Sequence, residues 1–205
     1  MTHLRAISAA SAFALMAGVA GAASAVTIAD YSFETPFQNG GFTYGPTVAG
    51  ATFTGGAGVQ GNGSAWGFAN APDGVQGGFL QNNAETDLSV TGLSAGGTYT
   101  VSFFDSQRPG YGVLPITVEF NGISILTTTP GGTWVPVSTA SFVSTGTTGT
   151  ISFVTSAQGG DFDSGIDDVT ITGGVPEPMA WTLMLVGFGG LGGVLRWRRS
   201  AVAAV

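Results

Sequence analysis

From residue 26 to residue 174 the apolar positions recur at every second residue, in short runs rich in Thr, Val, Ile, Phe and Ser that Gly and Pro interrupt. Side chains alternate between the two faces of an extended strand, so this period predicts half-buried β-strands. Seven runs satisfy it: 87–91, 98–104, 116–120, 124–128, 134–142, 149–154 and 167–172. Asn121-Gly122 after the third run is a dipeptide that tolerates positive φ at both central positions of a hairpin turn, and Leu93 to Gly97 forms a second tight connection. No stretch between the ends of the chain has a helical period. Seven or more short strands at this spacing predict an all-β domain, an antiparallel β-sandwich with the apolar members of each run meeting between two sheets.

The two ends depart from that pattern. Residues 1–25 join a basic start at Arg5 to an Ala-rich apolar run and then to Ala23-Ser24-Ala25, the plan of a cleavable secretory signal peptide. Residues 175–205 open with Val175-Pro176-Glu177-Pro178, continue through an uncharged run from Met179 to Leu195, and close on Arg196, Arg198 and Arg199. As a helix rising about 1.5 Å per residue, the run reaches roughly 25 Å, at the short end of a bilayer core of about 30 Å. Residues 179–195 are therefore expected to form a single transmembrane helix. The arginines after it are retained on the cytoplasmic side, which leaves the domain at 26–174 outside.

Composition narrows the chemistry. The 205-residue chain has no cysteine, five basic residues that are all arginine, and one histidine, His3. A disulfide framework and thiolate chemistry are excluded, and removal of the leader would also exclude an imidazole base or ligand. The 26–174 segment carries eleven carboxylates against Arg108 alone, a net charge of −10. Such a surface repels phosphate, so neither nucleic acid nor an anionic lipid face is an expected partner of the domain.

Two resemblances follow from these residues. Pro176-Glu177-Pro178, the apolar span with Trp181 and a Gly-Phe-Gly run, and the terminal Arg196, Arg198 and Arg199 resemble the PEP-CTERM sorting signal in its tryptophan-containing form. That resemblance implies a Gram-negative host with exopolysaccharide and an exosortase-like processing enzyme. It also implies transient anchoring in the inner membrane with the domain in the periplasm, followed by the cell surface or extracellular matrix. Ser32-Phe33-Glu34 near the start of the domain and Gly165-Ile166-Asp167-Asp168-Val169 at its end resemble the galactose-binding-like jelly roll, in which a Phe-Glu pair on the first strand faces an Asp-Asp-Val on the last. Many secreted carbohydrate-binding modules have that fold, so the sandwich is expected to be a jelly roll.

Candidate chemistry lies at two places. Asp161, Asp163, Asp167 and Asp168 put four carboxylates within eight residues. Such a group stays solvated, takes up protons, or binds a hard cation through oxygen, and calcium is the natural candidate. The jelly-roll resemblance brings Glu34 to Asp167 and Asp168 as a structural calcium site; the alternative is a solvated acidic loop. Saccharides stack on aromatic rings and hydrogen-bond at their edges. Trp66 and Phe68 in a Gly- and Asn-bearing stretch, and Arg108 beside Tyr111, are the candidates for ligand binding, with Arg108 either clamping a hydroxyl or uronate or pairing within the protein. No catalytic residue stands out. The sequence describes an exported, non-enzymatic surface or matrix protein associating with exopolysaccharide; the alternatives are a lectin or adhesin module and a secreted glycoside hydrolase.

Overall fold

The structure is a computed structural model and describes residues 27–28, 31–156, 158–174 and 186–190. The β domain and the helical segment 186–190 belong to separate compact units. The 1–25 leader, Pro176, Glu177, Pro178, Arg196, Arg198, Arg199 and most of the 179–195 span lie outside the described residues. Among the described residues no helix is long and apolar enough to cross a membrane.

The domain is all-β and antiparallel. Its strands are β1 (Thr27–Ile28), β2 (Phe42–Tyr44), β3 (Ala51–Gly61), β4 (Gln76–Thr91), β5 (Thr98–Gln107), β6 (Ile116–Phe120), β7 (Ile123–Thr128), β8 (Val135–Ser138), β9 (Phe142–Val143), β10 (Thr148–Val154) and β11 (Asp163–Gly174). The two separate sheets expected from the sequence are one curled sheet, in the order β7-β6-β10-β4-β11-β5-β8, with β1 and β3 also on β4, β2 on β3 and β9 on β5. Continuity comes from β4. Its residues 78–81 lie between β3 and β11, whereas 85–88 lie between β3 and β10 and 90–91 between β1 and β10. The registers break between these halves, where Asn82 and Gly55 adopt positive φ. Thr155 satisfies the freed backbone, its hydroxyl donating to Asn82 O at 2.7 Å and accepting from Ala84 N at 3.1 Å. The sheet then closes on itself: Phe103 of β5 meets Phe153 of β10 edge to face at 5.0 Å.

The core between the layers follows the predicted alternation. Leu80, Leu88 and Val90 of β4, Val101 and Phe103 of β5, Ile116 and Val118 of β6, and Ile151 and Phe153 of β10 are all buried in one cluster. Burial of each such side chain contributes about 1.5–3 kcal/mol. On β11 the apolar residues Ile166 and Val169 are three apart, and strict alternation would put them on opposite faces. A bulge between Asp167 and Thr170, with Asp168 at φ +48°, restores Val169 to the core. Asn121 and Gly122 both have positive φ in the β6–β7 hairpin, as the turn chemistry requires. The run expected at 134–142 is divided into β8 and β9. At the break, Thr139 accepts from Val101 N through its own hydroxyl and donates its N–H to Val101 O.

Candidate functional site

A second, smaller cluster lies on the opposite face of β3, β4 and β11. Alternation there brings Gln60 and Gly58 of β3, Gly77, Phe79 and Gln81 of β4, and Asp163 and Gly165 of β11 to the same side. The glycines make this side flat. A β-carbon at Gly58 would lie 2.4 Å from the Phe79 ring, and one at Gly165 would lie 2.7 Å from Trp134 and 3.1 Å from Phe68. Aromatic rings fill the space: Trp66 stacks on Phe79 at 3.9 Å and 25°, Phe68 lies 6.3 Å from Trp66, and Trp134 lies 5.8 Å from Phe68. Trp134 is fixed by donating its indole N–H to Ala69 O at 2.9 Å.

Arg108 binds the edge of this floor. Its guanidinium stands 4.4 Å from the Trp66 ring centroid and 3.7 Å from that of Tyr111. Nε donates to Trp66 O at 3.0 Å, Nη2 to Ala65 O at 3.4 Å, and Nη1 to Asp163 Oδ2 at 3.1 Å. The pair is buried, with side-chain exposures of 13% for Arg108 and 0% for Asp163. Burial pushes the Asp163 carboxyl up to about 6 against the pull of the Arg108 hydrogen bond, and Asp161 adds to the rise. Asp163 Oδ1 is buried without a hydrogen-bond partner.

Around the floor runs an exposed rim. Phe42, Tyr44 and Tyr111 are exposed by 45%, 44% and 39%. Phe42 and Tyr44 each lie 6.0 Å from Trp66 and from each other. The Tyr44 hydroxyl donates to Gln81 Oε1 at 2.7 Å, and Gln81 Nε2 donates to Asp161 Oδ1 at 2.7 Å. Gly112, next to Tyr111, donates its N–H to Asp161 O at 3.4 Å. Phe42, Tyr44, Gln81 and Asp161 thus follow one another in contact, and Arg108 joins Tyr111 to Trp66. Burial and then the Asp163 charge hold the Tyr44 phenol above its ordinary value, with Arg108 opposing and Asp161 adding.

The structure brings the four sequence-derived ligand candidates together but divides them. Trp66 and Phe68 are 3% and 6% exposed and form floor, not open stacking faces. Arg108 is engaged within the protein, and Tyr111 is on the rim. Phe42 and Tyr44 were missed because the three-residue β2 is too short to show an alternation. Only its Phe-x-Tyr spacing between glycine-rich segments pointed to them.

The expected calcium set Glu34, Asp167 and Asp168 does not converge. Glu34 Oε1 accepts the N–H groups of Val75 and Gln76, both at 2.9 Å, and Asp167 Oδ2 accepts from Asp73 N at 3.0 Å. These carboxylates hold the 73–76 segment by its amides, which engage Glu34 Oε1 and Asp167 Oδ2. Among the described residues no three acidic or histidine side chains are grouped to hold a metal ion. Asp167 Oδ1 is buried and unpartnered, and burial pushes the Asp167 carboxyl up to about 7, opposed by the N–H groups of Asp73 and Asp168. The Phe-Glu pair of the resemblance is also not on a strand. Phe33 follows the Tyr31–Ser32 turn, outside any strand, at φ +56° with its ring in the core, while Val169 N donates to Tyr31 O at 2.8 Å, so the segment does face the last strand.

No protein-family model and no curated protein sequence matches this chain. Solved structures do. The K2 cleaved adhesin domain of Lys-gingipain superposes with a TM-score of 0.50 at 16% identity, over 72% of this chain and 99% of that one. That match shows the fold. TmCBM61 in complex with β-1,4-galactotriose gives 0.45 at 20% identity, over 70% of this chain and 95% of the module. The carbohydrate-binding module CBM36 in complex with calcium and xylotriose gives 0.41 at 13% identity, over 51% and 87%. The all-β domain therefore has the fold of that adhesin domain.

Proposed function

We propose that the β domain is a non-catalytic saccharide-binding module of an exported protein, acting as a lectin or adhesin. The observation that carries this reading is the rim of Phe42, Tyr44 and Tyr111, three part-exposed rings on one face beside the hydrogen-bonding groups of Gln81 and Asp161. Rings of this kind receive the C–H faces of a sugar, while amide and carboxylate oxygens accept its hydroxyls. A buried floor under the rim holds the rings in place before a ligand arrives, which reduces the entropy cost of binding.

Hydrolysis of a glycoside needs two carboxylates placed about the scissile bond. Of the two at this face, Asp163 is buried against Arg108, and only Asp161 reaches the rim. The non-catalytic reading is the simpler one. In this proposal the 1–25 leader exports the chain and the 175–205 segment acts as a PEP-CTERM-like sorting signal processed by an exosortase-type enzyme. The jelly-roll domain is then delivered to the cell surface or an exopolysaccharide matrix.

The test is a glycan array probed with the full chain, including β-1,4-galactotriose and xylotriose, with and without calcium. Retention of at least one saccharide, weakened about tenfold by Tyr44→Ala and by Tyr111→Ala, is the expected result, since one ring contact contributes about 0.5–1.5 kcal/mol and 1.4 kcal/mol is tenfold. Absence of retention across the array, or retention indifferent to both substitutions, rejects the reading. Mass spectrometry of the mature termini from fractionated host cells tests export and processing: an uncut chain in the cytosol overturns them.

A further inference from the structure

The rim has an electrostatic character that limits what it can bind. Arg108 is the one Lys or Arg among the described residues, and it is committed largely to contacts within the protein. Its Nε and Nη2 donate to the Trp66 and Ala65 carbonyls, its Nη1 pairs with Asp163, and its two faces are covered by Trp66 and Tyr111. A guanidinium recognises a carboxylate or sulfate through paired N–H donors in its plane. Here three of its five N–H groups are already given to two carbonyls and a carboxylate, and the side chain is only 13% exposed. Arg108 instead holds the loop carrying Trp66 against the loop carrying Tyr111, so its role is to position the floor and rim.

Oxygen acceptors dominate the polar side chains around it. Asp161 lies on the rim, Asp163 lies beneath it, and the Gln81 amide is oriented with its N–H toward Asp161 and its carbonyl toward Tyr44. The carboxylates outnumber the cation by two to one. The Tyr44 phenol is raised chiefly by burial, and the charges of Asp163 and Asp161 add to the rise while Arg108 opposes it. The domain's large excess of acids over its single base extends the same sign beyond the rim.

We infer that the rim accepts uncharged saccharides and rejects those bearing uronate or sulfate, an inference that rests on the saccharide-binding reading above. The sugar's hydroxyls donate to Asp161, and any carboxylate brought to the same place meets a like charge, while the one guanidinium nearby is already paired with Asp163. Arg108 as a uronate clamp, one of the roles open on sequence alone, is thereby set aside.

The experiment compares matched neutral and acidic oligosaccharides: galacto- against galacturono-, manno- against mannurono-oligosaccharides of equal length, with the full chain, at low ionic strength, and with a chelator present to prevent cation bridging. The acidic member of each bound pair is expected to bind on the order of tenfold more weakly or not at all. The gap should narrow in high salt, which screens rim charges, and in Asp161→Asn, which removes one of them. Asp163→Asn should narrow it further by leaving Arg108 without its counter-ion. Asp161 is exposed at the rim, so its variant keeps the test open where Asp163→Asn fails to fold. Equal or tighter binding of an acidic member overturns the inference and leaves saccharide binding standing, as does a gap unmoved by salt and by Asp161→Asn. Failure of every neutral and acidic member to bind overturns both.

Discussion

Phe79 and Leu80 are neighbours on β4, both fully buried, yet they belong to different parts of the molecule. Leu80 enters a core of aliphatic and phenylalanine side chains sealed between the two layers of the curled sheet. Phe79 enters a cluster that includes Trp66, Phe68 and Trp134 and that is bordered by an ion pair, a glutamine and three part-exposed rings. β11 divides likewise, with Ile166 inward and Asp163 and Gly165 outward. The difference teaches that burial on this domain has two purposes. One face closes water out and ends there; the other holds rigid rings at the border with solvent, which is where a ligand can be met.

The largest expected effect comes from truncating the two neighbours in turn. Phe79→Ala should cost about 3–5 kcal/mol and Leu80→Ala about 2–5 kcal/mol in urea unfolding, because each leaves a cavity in a packed cluster. The two should separate in saccharide retention by the folded fraction. Phe79→Ala removes the ring under Trp66 and Tyr44 and should weaken retention, while Leu80→Ala should lower stability with retention per folded molecule preserved. Equal loss of retention in both would erase the distinction between the faces.

These faces were not equally legible in the sequence. The sealed core obeys strict alternation, so the runs at 98–104, 116–120 and 149–154 fall on β5, β6 and β10, and the run at 87–91 on the last five residues of the sixteen-residue β4. On the other face the signal is weak because its flat floor is made of glycine. Gly55, Gly56, Gly58 and Gly61 lie within β3, and Gly77 and Gly78 open β4. Glycine is unfavourable in strand interiors and has no side chain to alternate, so β3 and the first half of β4 read as loop. Trp66, Phe68, Arg108 and Tyr111 were identifiable by composition, but which of them would be floor and which rim depended on β2 and on the partners of Arg108. The calcium set followed from a resemblance between strands. It did not include the amides of Val75, Gln76 and Asp73, which engage one oxygen each of Glu34 and Asp167.

An intermediate effect is expected with pH, and it comes from the outward face of β11. Burial raises the carboxyls of Asp163 to about 6 and Asp167 to about 7, whereas an unfolded Asp titrates near 3.9. The folded form therefore binds protons more tightly than the unfolded one. Stability from these two groups is fully present below about pH 4 and is lost as pH rises through 6 and 7. The melting temperature should fall by several degrees between pH 5 and pH 8, at about 2–4 °C per kcal/mol for a domain of this size. Asp167→Asn should flatten the profile and melt higher than the parent at pH 8. A calcium ion engaging Asp167 would favour its charged form and reverse the slope, so the same scan with added calcium or chelator checks the metal. A chelator-insensitive profile that rises with pH would contradict the buried-carboxylate account.

The smallest expected effect on stability sharpens the comparison most. Tyr111→Leu keeps an apolar side chain over Arg108 but removes the ring whose centroid lies 3.7 Å from the guanidinium. A partly exposed cation–π contact contributes about 0.5–1 kcal/mol, so unfolding should shift by no more than that. Saccharide retention should fall about tenfold, because the substitution also removes the opposite ring face, the one turned away from Arg108 that a sugar would meet. A residue of the sealed core shows the opposite ratio: Tyr99, 2% exposed, has its hydroxyl accepting from Ser94 N at 2.9 Å. Tyr99→Phe should cost about 1 kcal/mol by orphaning that N–H, and retention should be unmoved. Parallel urea titrations and retention measurements on the two variants check this crossing. If Tyr111→Leu loses stability in step with retention, the ring on the rim is a structural prop for Arg108, and the face it borders is a second core.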